Sequence, residues 1–132
     1  MTRTFVFGNP TAEFTKAYNA ILKAHQLVYE NVKPNTTGVE ADAIARNYLT
    51  AQGYGEYFTH GLGHGVGVKI HEAPRLSPKS TDVLVNGNCF TIEPGVYFDG
   101  KFGIRIEDTV VLENDKAVSF NAFTKELFTV NP

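Results

Sequence analysis

The chain has 132 residues and a mass of 14.5 kDa, which fits one domain (1–132) large enough to enclose a hydrophobic core. Its 42% hydrophobic and 12% aromatic residues, with a net charge of −2, exclude a disordered chain. Its basic residues form no cluster that would indicate nucleic-acid binding, and no apolar run approaches the roughly 20 residues of a membrane span. The chain has one cysteine, Cys89, which we expect to be a buried thiol in a reducing, cytoplasmic compartment. The N-terminal residues do not have the pattern of a signal peptide.

The first part of the chain predicts one short strand followed by two helices. β-Branched and aromatic residues at 2–7 predict the strand. A helix with an apolar stripe then begins at the N-cap Thr11 and is expected to end at Pro34. The segment from Thr37 to Glu40 has the spacing of a capping box and predicts a second amphipathic helix, which ends near Gly53.

The helical period is lost after residue 57, and the rest of the chain predicts strands. The two strongest are joined across an Asp-Gly turn, and two shorter strands follow them. The predicted strands cover residues 89–98, 102–112, 118–120 and 127–130. The order of elements predicts an α+β fold, with two helices packed on a mainly antiparallel sheet.

Three of the four histidines, His60, His64 and His71, lie in or next to a glycine-rich segment. His25 instead lies near the apolar stripe of the first helix, which indicates a structural role. Four glycines in residues 60–67 exclude a helix there, and an extended chain would separate the Cα atoms of His60 and His64 by about 13 Å. We therefore expect one of them to bind a metal ion and the other to contact a substrate, unless the segment is a flexible loop with incidental histidines.

Strand alternation in the same segment predicts two different faces. His60, Leu62 and His64 would share one face, and glycines would form the other. A glycine face allows another backbone or a ligand to approach closely.

Two carboxylates, Glu93 and Glu107, lie on the polar faces of the two strongest predicted strands, with Arg105 beside the second. A two-residue turn between the strands would place Glu107 on the opposite face from Glu93. A three-residue loop at 98–100 would instead pair Glu93 with Arg105 and Thr91 with Glu107, with the glutamates about 7–8 Å apart on one face. A shared site therefore requires an odd-length loop or a bulge, and the alternative is a solvated sheet face with a surface ion pair.

Four motifs together resemble the pita-bread metallopeptidases, and most closely the branch of Xaa-Pro dipeptidase and aminopeptidase P. They are His60-Gly-Leu-Gly-His64-Gly-Val-Gly, His71-Glu-Ala-Pro74, Thr91-Ile-Glu93-Pro-Gly95 and Gly103-Ile-Arg105-Ile-Glu107-Asp108. The resemblance implies that the chain forms the C-terminal half of a pita-bread catalytic domain. It also implies that the parent enzyme hydrolyses Xaa-Pro bonds in proline-containing peptides.

The resemblance assigns metal binding to His64, Glu93 and Glu107, within a site that holds two divalent ions (Mn, Co or Zn) in the full-length enzyme. It assigns catalytic roles to Glu93 as proton shuttle, to His60 and His71 as substrate contacts, and to Arg105 as the residue that orients the carboxylates.

The family also has two aspartate ligands before these motifs, the second in an Asp-X-Thr-Arg-Thr sequence. This chain begins Met1-Thr2-Arg3-Thr4, and no aspartate precedes Asp42. We therefore expect at best weak binding of one ion and no peptidase activity from this chain alone. An uncovered sheet edge predicts a homodimer. Two alternatives stay open, a non-catalytic pita-bread binding module and a mononuclear metal-binding protein.

Overall fold

In a computed structural model that describes residues 1–131, both helices begin where the sequence predicts. Helix α1 covers Ala12–Asn31, and the Thr11 side chain accepts a hydrogen bond from the Phe14 amide at 3.1 Å. This helix ends just before the expected boundary, since Val32 already has extended backbone angles. Helix α2 covers Gly38–Ala51 and begins with a complete capping box.

Nine short strands and one 3-10 turn at Gly55–Tyr57 make up the rest of the regular structure of residues 1–131. The strands are β1 (Phe5–Phe7), β2 (Gly63–Gly65), β3 (Glu72–Leu76), β4 (Cys89–Ile92), β5 (Gly95–Phe98), β6 (Phe102–Arg105), β7 (Asp108–Glu113), β8 (Lys116–Ser119) and β9 (Phe128–Val130). The sequence did not predict β3, because Pro74 interrupts its alternation.

The main sheet has five antiparallel strands in the order β3-β2-β4-β7-β8. Strands β5 and β6 form a separate hairpin, and β1 pairs in parallel with β9. The predicted α+β architecture with a mainly antiparallel sheet is therefore confirmed.

Each of the two longest predicted strands is interrupted at its glutamate. The first breaks at Glu93 and Pro94, where proline has no N–H to donate to a ladder. The second breaks at Ile106 and Glu107. Both carboxylates therefore lie where the main sheet gives way to the β5–β6 hairpin.

The loop between β5 and β6 has the predicted odd length but a different position. It consists of Asp99, Gly100 and Lys101, with Gly100 at φ +68°, and it pairs Phe98 with Phe102. The predicted pairs of Glu93 with Arg105 and of Thr91 with Glu107 are wrong, because moving the loop by one residue shifts the register. Gly95 pairs with Arg105 and Ile92 with Asp108, so Glu93 is opposite Glu107 when the register is continued through the break.

The core lies between the helices and the sheets. It is built from alanine, aliphatic and aromatic side chains of α1 and α2 together with apolar residues of β3, β4, β5, β6 and β7. His25 is buried with them at 2% exposure, as expected of a structural histidine. Cys89 is half-buried, which corrects the expectation of a buried thiol. No helix of residues 1–131 is long and apolar enough to span a bilayer.

Candidate metal and substrate site

One cavity of about 420 Å³ collects most of the predicted site residues, and its size is typical of small-molecule sites. Five of the six predicted side chains line it, together with Arg75 and Ser77 from β3 and the loop that follows. The predicted residues are His60, His64, His71, Glu93 and Arg105. The exception is Glu107, which lies opposite Glu93 across the break in the sheet.

His64 and Glu93 face each other at one wall of this cavity. His64 Nε2 lies 3.3 Å from Glu93 Oε1, and each side chain is 15% exposed. His64 Nδ1 lies 2.9 Å from the Gly65 carbonyl oxygen, which can only accept a hydrogen bond, so Nδ1 carries the proton. Nε2 therefore carries a lone pair 3.3 Å from a carboxylate oxygen, which brings two metal-donor atoms side by side.

Thr91 holds this pair in position from inside β4. Its hydroxyl lies 2.9 Å from Glu93 Oε1, to which it donates, and 3.1 Å from the His64 amide, from which it accepts. Because Thr91 is buried, the pair is fixed to the central strand of the sheet. A carboxylate and an imidazole oriented in this way form a donor set suited to a divalent transition metal.

Glu107 is held by the N-terminal segment. The Thr2 hydroxyl donates a hydrogen bond to Glu107 Oε2, and the amino group of Met1 lies 3.8 Å from the same oxygen. Within residues 1–131, no three His, Cys, Asp or Glu side chains stand close enough together to enclose an ion. The His64–Glu93 pair is therefore the assembled part of the predicted ligand set.

Arg105 and His60 are linked through Tyr97. Arg105 Nη1 donates to the Tyr97 hydroxyl at 3.1 Å, and this hydroxyl lies 3.2 Å from His60 Nε2. His60 Nδ1 is bonded to the Gly61 carbonyl at 2.8 Å, so Nε2 accepts from Tyr97. Burial acts to lower the pKa of Arg105, but the Tyr97 hydrogen bond and the charges of Glu93 and Glu107 outweigh it and raise that pKa. The charges of both carboxylates therefore act on Arg105, and its role in orienting them stays a prediction.

His71 lies at the open side of the cavity. His71 is exposed, and the centroid of its ring lies 4.1 Å from the centroid of the His64 ring. It is therefore brought beside the His64–Glu93 pair, although no hydrogen bond holds its ring within residues 1–131.

The predicted glycine face is present, but the strict alternation is not. A Cβ atom on Gly63 would overlap the Thr91 carbonyl, and one on Gly65 would overlap the Ala73 carbonyl, so both glycines permit close backbone approach. Leu62, predicted on the face of His60 and His64, is fully buried in the core. The regular strand β2 has only three residues, with a bulge after His64, which is too short to maintain alternation.

Four residues of this site were missed by sequence reasoning: Thr91, Tyr97, Arg75 and Ser77. Alternation on the predicted strand already placed Thr91 with Glu93, and Tyr97 has the same parity, so that signal could have found both. Arg75 and Ser77 lie on and after β3, which was not predicted.

Comparison with known proteins gives a consistent result. The profile of metallopeptidase family M24 matches residues 1–114. The chain is 42% identical over 127 residues to the Xaa-Pro dipeptidase of Pyrococcus horikoshii, covering 96% of this chain and 36% of that protein. It is 43% identical over 126 residues to the Xaa-Pro dipeptidase of Lactobacillus delbrueckii subsp. lactis, covering 96% of this chain and 34% of that protein.

The fold is shared as well as the sequence. The chain superposes on the solved Xaa-Pro dipeptidase from Bacillus anthracis with a TM-score of 0.94 and 41% identity, over 97% of this chain and 36% of that structure. The architecture is therefore part of a pita-bread fold, as expected. The chain spans about a third of the length of the relatives it matches. By sequence profile, by identity and by fold, this chain belongs to metallopeptidase family M24.

Proposed function

We propose that this chain supplies one histidine and two glutamates of the dinuclear metal site of a peptidase that hydrolyses the bond before proline. The observation that carries this proposal is the contact of His64 Nε2 with Glu93 Oε1 in the cavity, with Glu107 opposite Glu93 in the sheet. The donors fit manganese, cobalt or zinc.

The chemistry of the chain's own residues follows from where they lie. Divalent ions held by His64, Glu93 and Glu107 would acidify a water molecule and polarise the scissile carbonyl. Glu93 would accept the proton of the attacking water and pass it to the proline nitrogen as the bond breaks. Arg105 would orient both carboxylates.

The substrate would enter from the open side of the cavity. His60 and His71 line it and would contact the peptide carbonyl oxygen, where negative charge develops. Arg75 lines the same cavity and forms no side-chain hydrogen bond or ion pair within residues 1–131, so its guanidinium is available to bind the carboxylate of a short peptide.

We propose that the 132-residue chain has no peptidase activity by itself, because two aspartate ligands of the family have no counterpart before Asp42. A non-catalytic binding module would not need this set of histidines and glutamates, which makes that alternative weaker. A cytoplasmic location is consistent with the single free thiol of Cys89.

Paramagnetic broadening by Mn²⁺ tests where an ion binds. The amide signals of His64, Gly65 and Thr91 should broaden first in a ¹⁵N-labelled chain, while those near His25 stay sharp. Glu93→Gln should abolish the effect, and Glu113→Gln, which changes an exposed carboxylate, should leave it intact. Broadening centred on another part of the chain, or none at all, would contradict the proposal.

A further inference from the structure

An ion pair on α2, between buried Asp42 and half-buried Arg46, contacts the segment that carries His60. Asp42 is 1% exposed. Both Asp42 oxygens are bound by Arg46, with Nε to Oδ2 at 2.6 Å and Nη2 to Oδ1 at 3.0 Å. The guanidinium also lies over the Phe58 ring, 4.2 Å from its centroid. This two-point pairing fixes the orientation of Arg46 toward the segment 58–62.

The pair holds three alternate backbone groups of that segment. Arg46 Nη1 donates to the Phe58 carbonyl at 2.8 Å, and Nη2 donates to the His60 carbonyl at 2.7 Å. Asp42 Oδ1 accepts the Leu62 amide at 2.9 Å. The segment lies between the 3-10 turn and β2 and belongs to no strand, so these bonds replace the ladder that would otherwise fix it.

We propose that Asp42 and Arg46 are positioning residues for His60. Within residues 1–131 the His60 ring is hydrogen-bonded only to the Gly61 carbonyl and the Tyr97 hydroxyl, and it packs edge-on against Phe58. Its place in the cavity therefore depends on the backbone of this segment. The pair sets that backbone from one helix. That His60 contacts a substrate rests on the proposed function. That Asp42 and Arg46 position His60 does not.

The same geometry shows that Asp42 does not replace the missing aspartate ligands. Its two oxygens are already engaged by Arg46 and Leu62, and it is absent from the lining of the cavity.

Arg46→Lys is the sharpest test, because an ammonium group keeps the charge opposite Asp42 but cannot reproduce the fork to two carbonyls. The ring ¹⁵N signals of His60 should shift or broaden, and exchange of the Leu62 amide should accelerate by about 10-fold or more. The ring signals of His25 should not change. Lys101→Gln, which removes an exposed ion pair with Glu13, is the matched control and should move neither probe.

A folded Arg46→Lys variant with unchanged His60 ring signals would overturn the proposal. If that variant does not fold, Asp42→Asn gives a second test. The amide oxygen can still accept a hydrogen bond from the Leu62 amide, but Arg46 loses the negative charge that orients it. It should disturb the His60 ring more than the Leu62 amide. In the unmodified chain, the Leu62 amide should exchange about 100-fold more slowly than an exposed loop amide such as Lys79, and equal rates would also overturn the proposal.

These outcomes are separate from those of the proposed function. If Mn²⁺ fails to broaden the His64 amide signal but Arg46→Lys shifts the His60 ring signals, the proposed metal site is wrong and the proposed positioning pair is supported. If Mn²⁺ binds normally and His60 does not respond, the reverse holds.

Discussion

His25 shows how burial changes the behaviour of a single side chain. Burial lowers its pKa to about 4, against the opposing effect of the nearby Asp108 carboxylate. Above the unfolded pKa of about 6.5 the imidazole is neutral in both states and costs nothing. As the pH falls toward 4, the unfolded chain binds a proton that the folded chain does not, so stability is lost, by about 3 kcal/mol in total.

His25→Gln should flatten this pH dependence between about pH 4 and 6.5. Urea unfolding of the unmodified chain and of the variant gives the free energy of unfolding at each pH in that range. The slopes of this free energy against pH are compared, because the substitution also changes packing. An equally steep loss of stability in the variant would show that another group is responsible.

For single residues of the site, the sequence predicted which residues take part better than it predicted their contacts. The motifs pointed to His60, His64, His71, Glu93, Arg105 and Glu107, and five of them line one cavity. Strand alternation places Tyr97 and Thr91 with Glu93, but it does not show the hydrogen bonds that join them to His60 and His64. Nor does the sequence show the bond of Asp42, whose partner Leu62 is twenty residues away.

At the scale of elements, helix α2 depends on a start signal that is purely local. The Thr37 hydroxyl accepts from the Glu40 amide at 3.3 Å, and the Glu40 carboxylate accepts from the Thr37 amide at 2.8 Å. Thr37→Ala removes the first bond and should lower the free energy of unfolding by about 1 kcal/mol. Chemical denaturation measures this, with Thr81→Ala as an exposed control that should change stability by less than about 0.5 kcal/mol. A loss no larger than in the control would mean that the capping box does not stabilise the fold.

Local signals also explain why the helices were predicted well and the strands less so. A cap and an apolar stripe lie within a few residues of each other, so both helices were found. Register depends on a loop whose position differs from the prediction by one residue, and that difference changed every pair between β5 and β6. The odd loop length was predicted correctly, and the observed register puts Glu107 opposite Glu93, but a shared site of the two carboxylates stays a prediction.

At the scale of the whole molecule, Asp108 connects distant parts of the chain. It is fully buried and bonded to Arg3 at 2.8 Å, Lys125 at 2.6 Å, the Tyr29 hydroxyl at 3.0 Å and the Ser119 hydroxyl at 3.1 Å. Asp108→Asn would leave the buried Arg3 without its counter-charge and should cost about 3–5 kcal/mol. Denaturation is the measurement, with the exposed Lys101→Gln as control. A cost below about 1 kcal/mol would show that these elements do not depend on Asp108.

The homodimer predicted from the sequence depends on which surfaces of the chain are exposed. Aromatic side chains of the β1–β9 pair are exposed, with Phe5 at 51%, Phe7 at 74% and Phe128 at 51%. We propose that a second copy covers them, since exposed apolar patches favour association. Size-exclusion chromatography with light scattering should give twice 14.5 kDa, and Phe7→Ser should shift the mass toward the monomer. A monomeric unmodified chain would contradict this.

We propose that His64, Glu93 and Glu107 form a metal half-site, and calorimetric titration with Mn²⁺ and Zn²⁺ is the test. We predict one ion per chain, with binding lost in Glu107→Gln and retained in Glu113→Gln. Binding that survives Glu107→Gln would show that this glutamate is not a ligand. No binding by the unmodified chain would contradict the claim that these residues form a site without the missing aspartates.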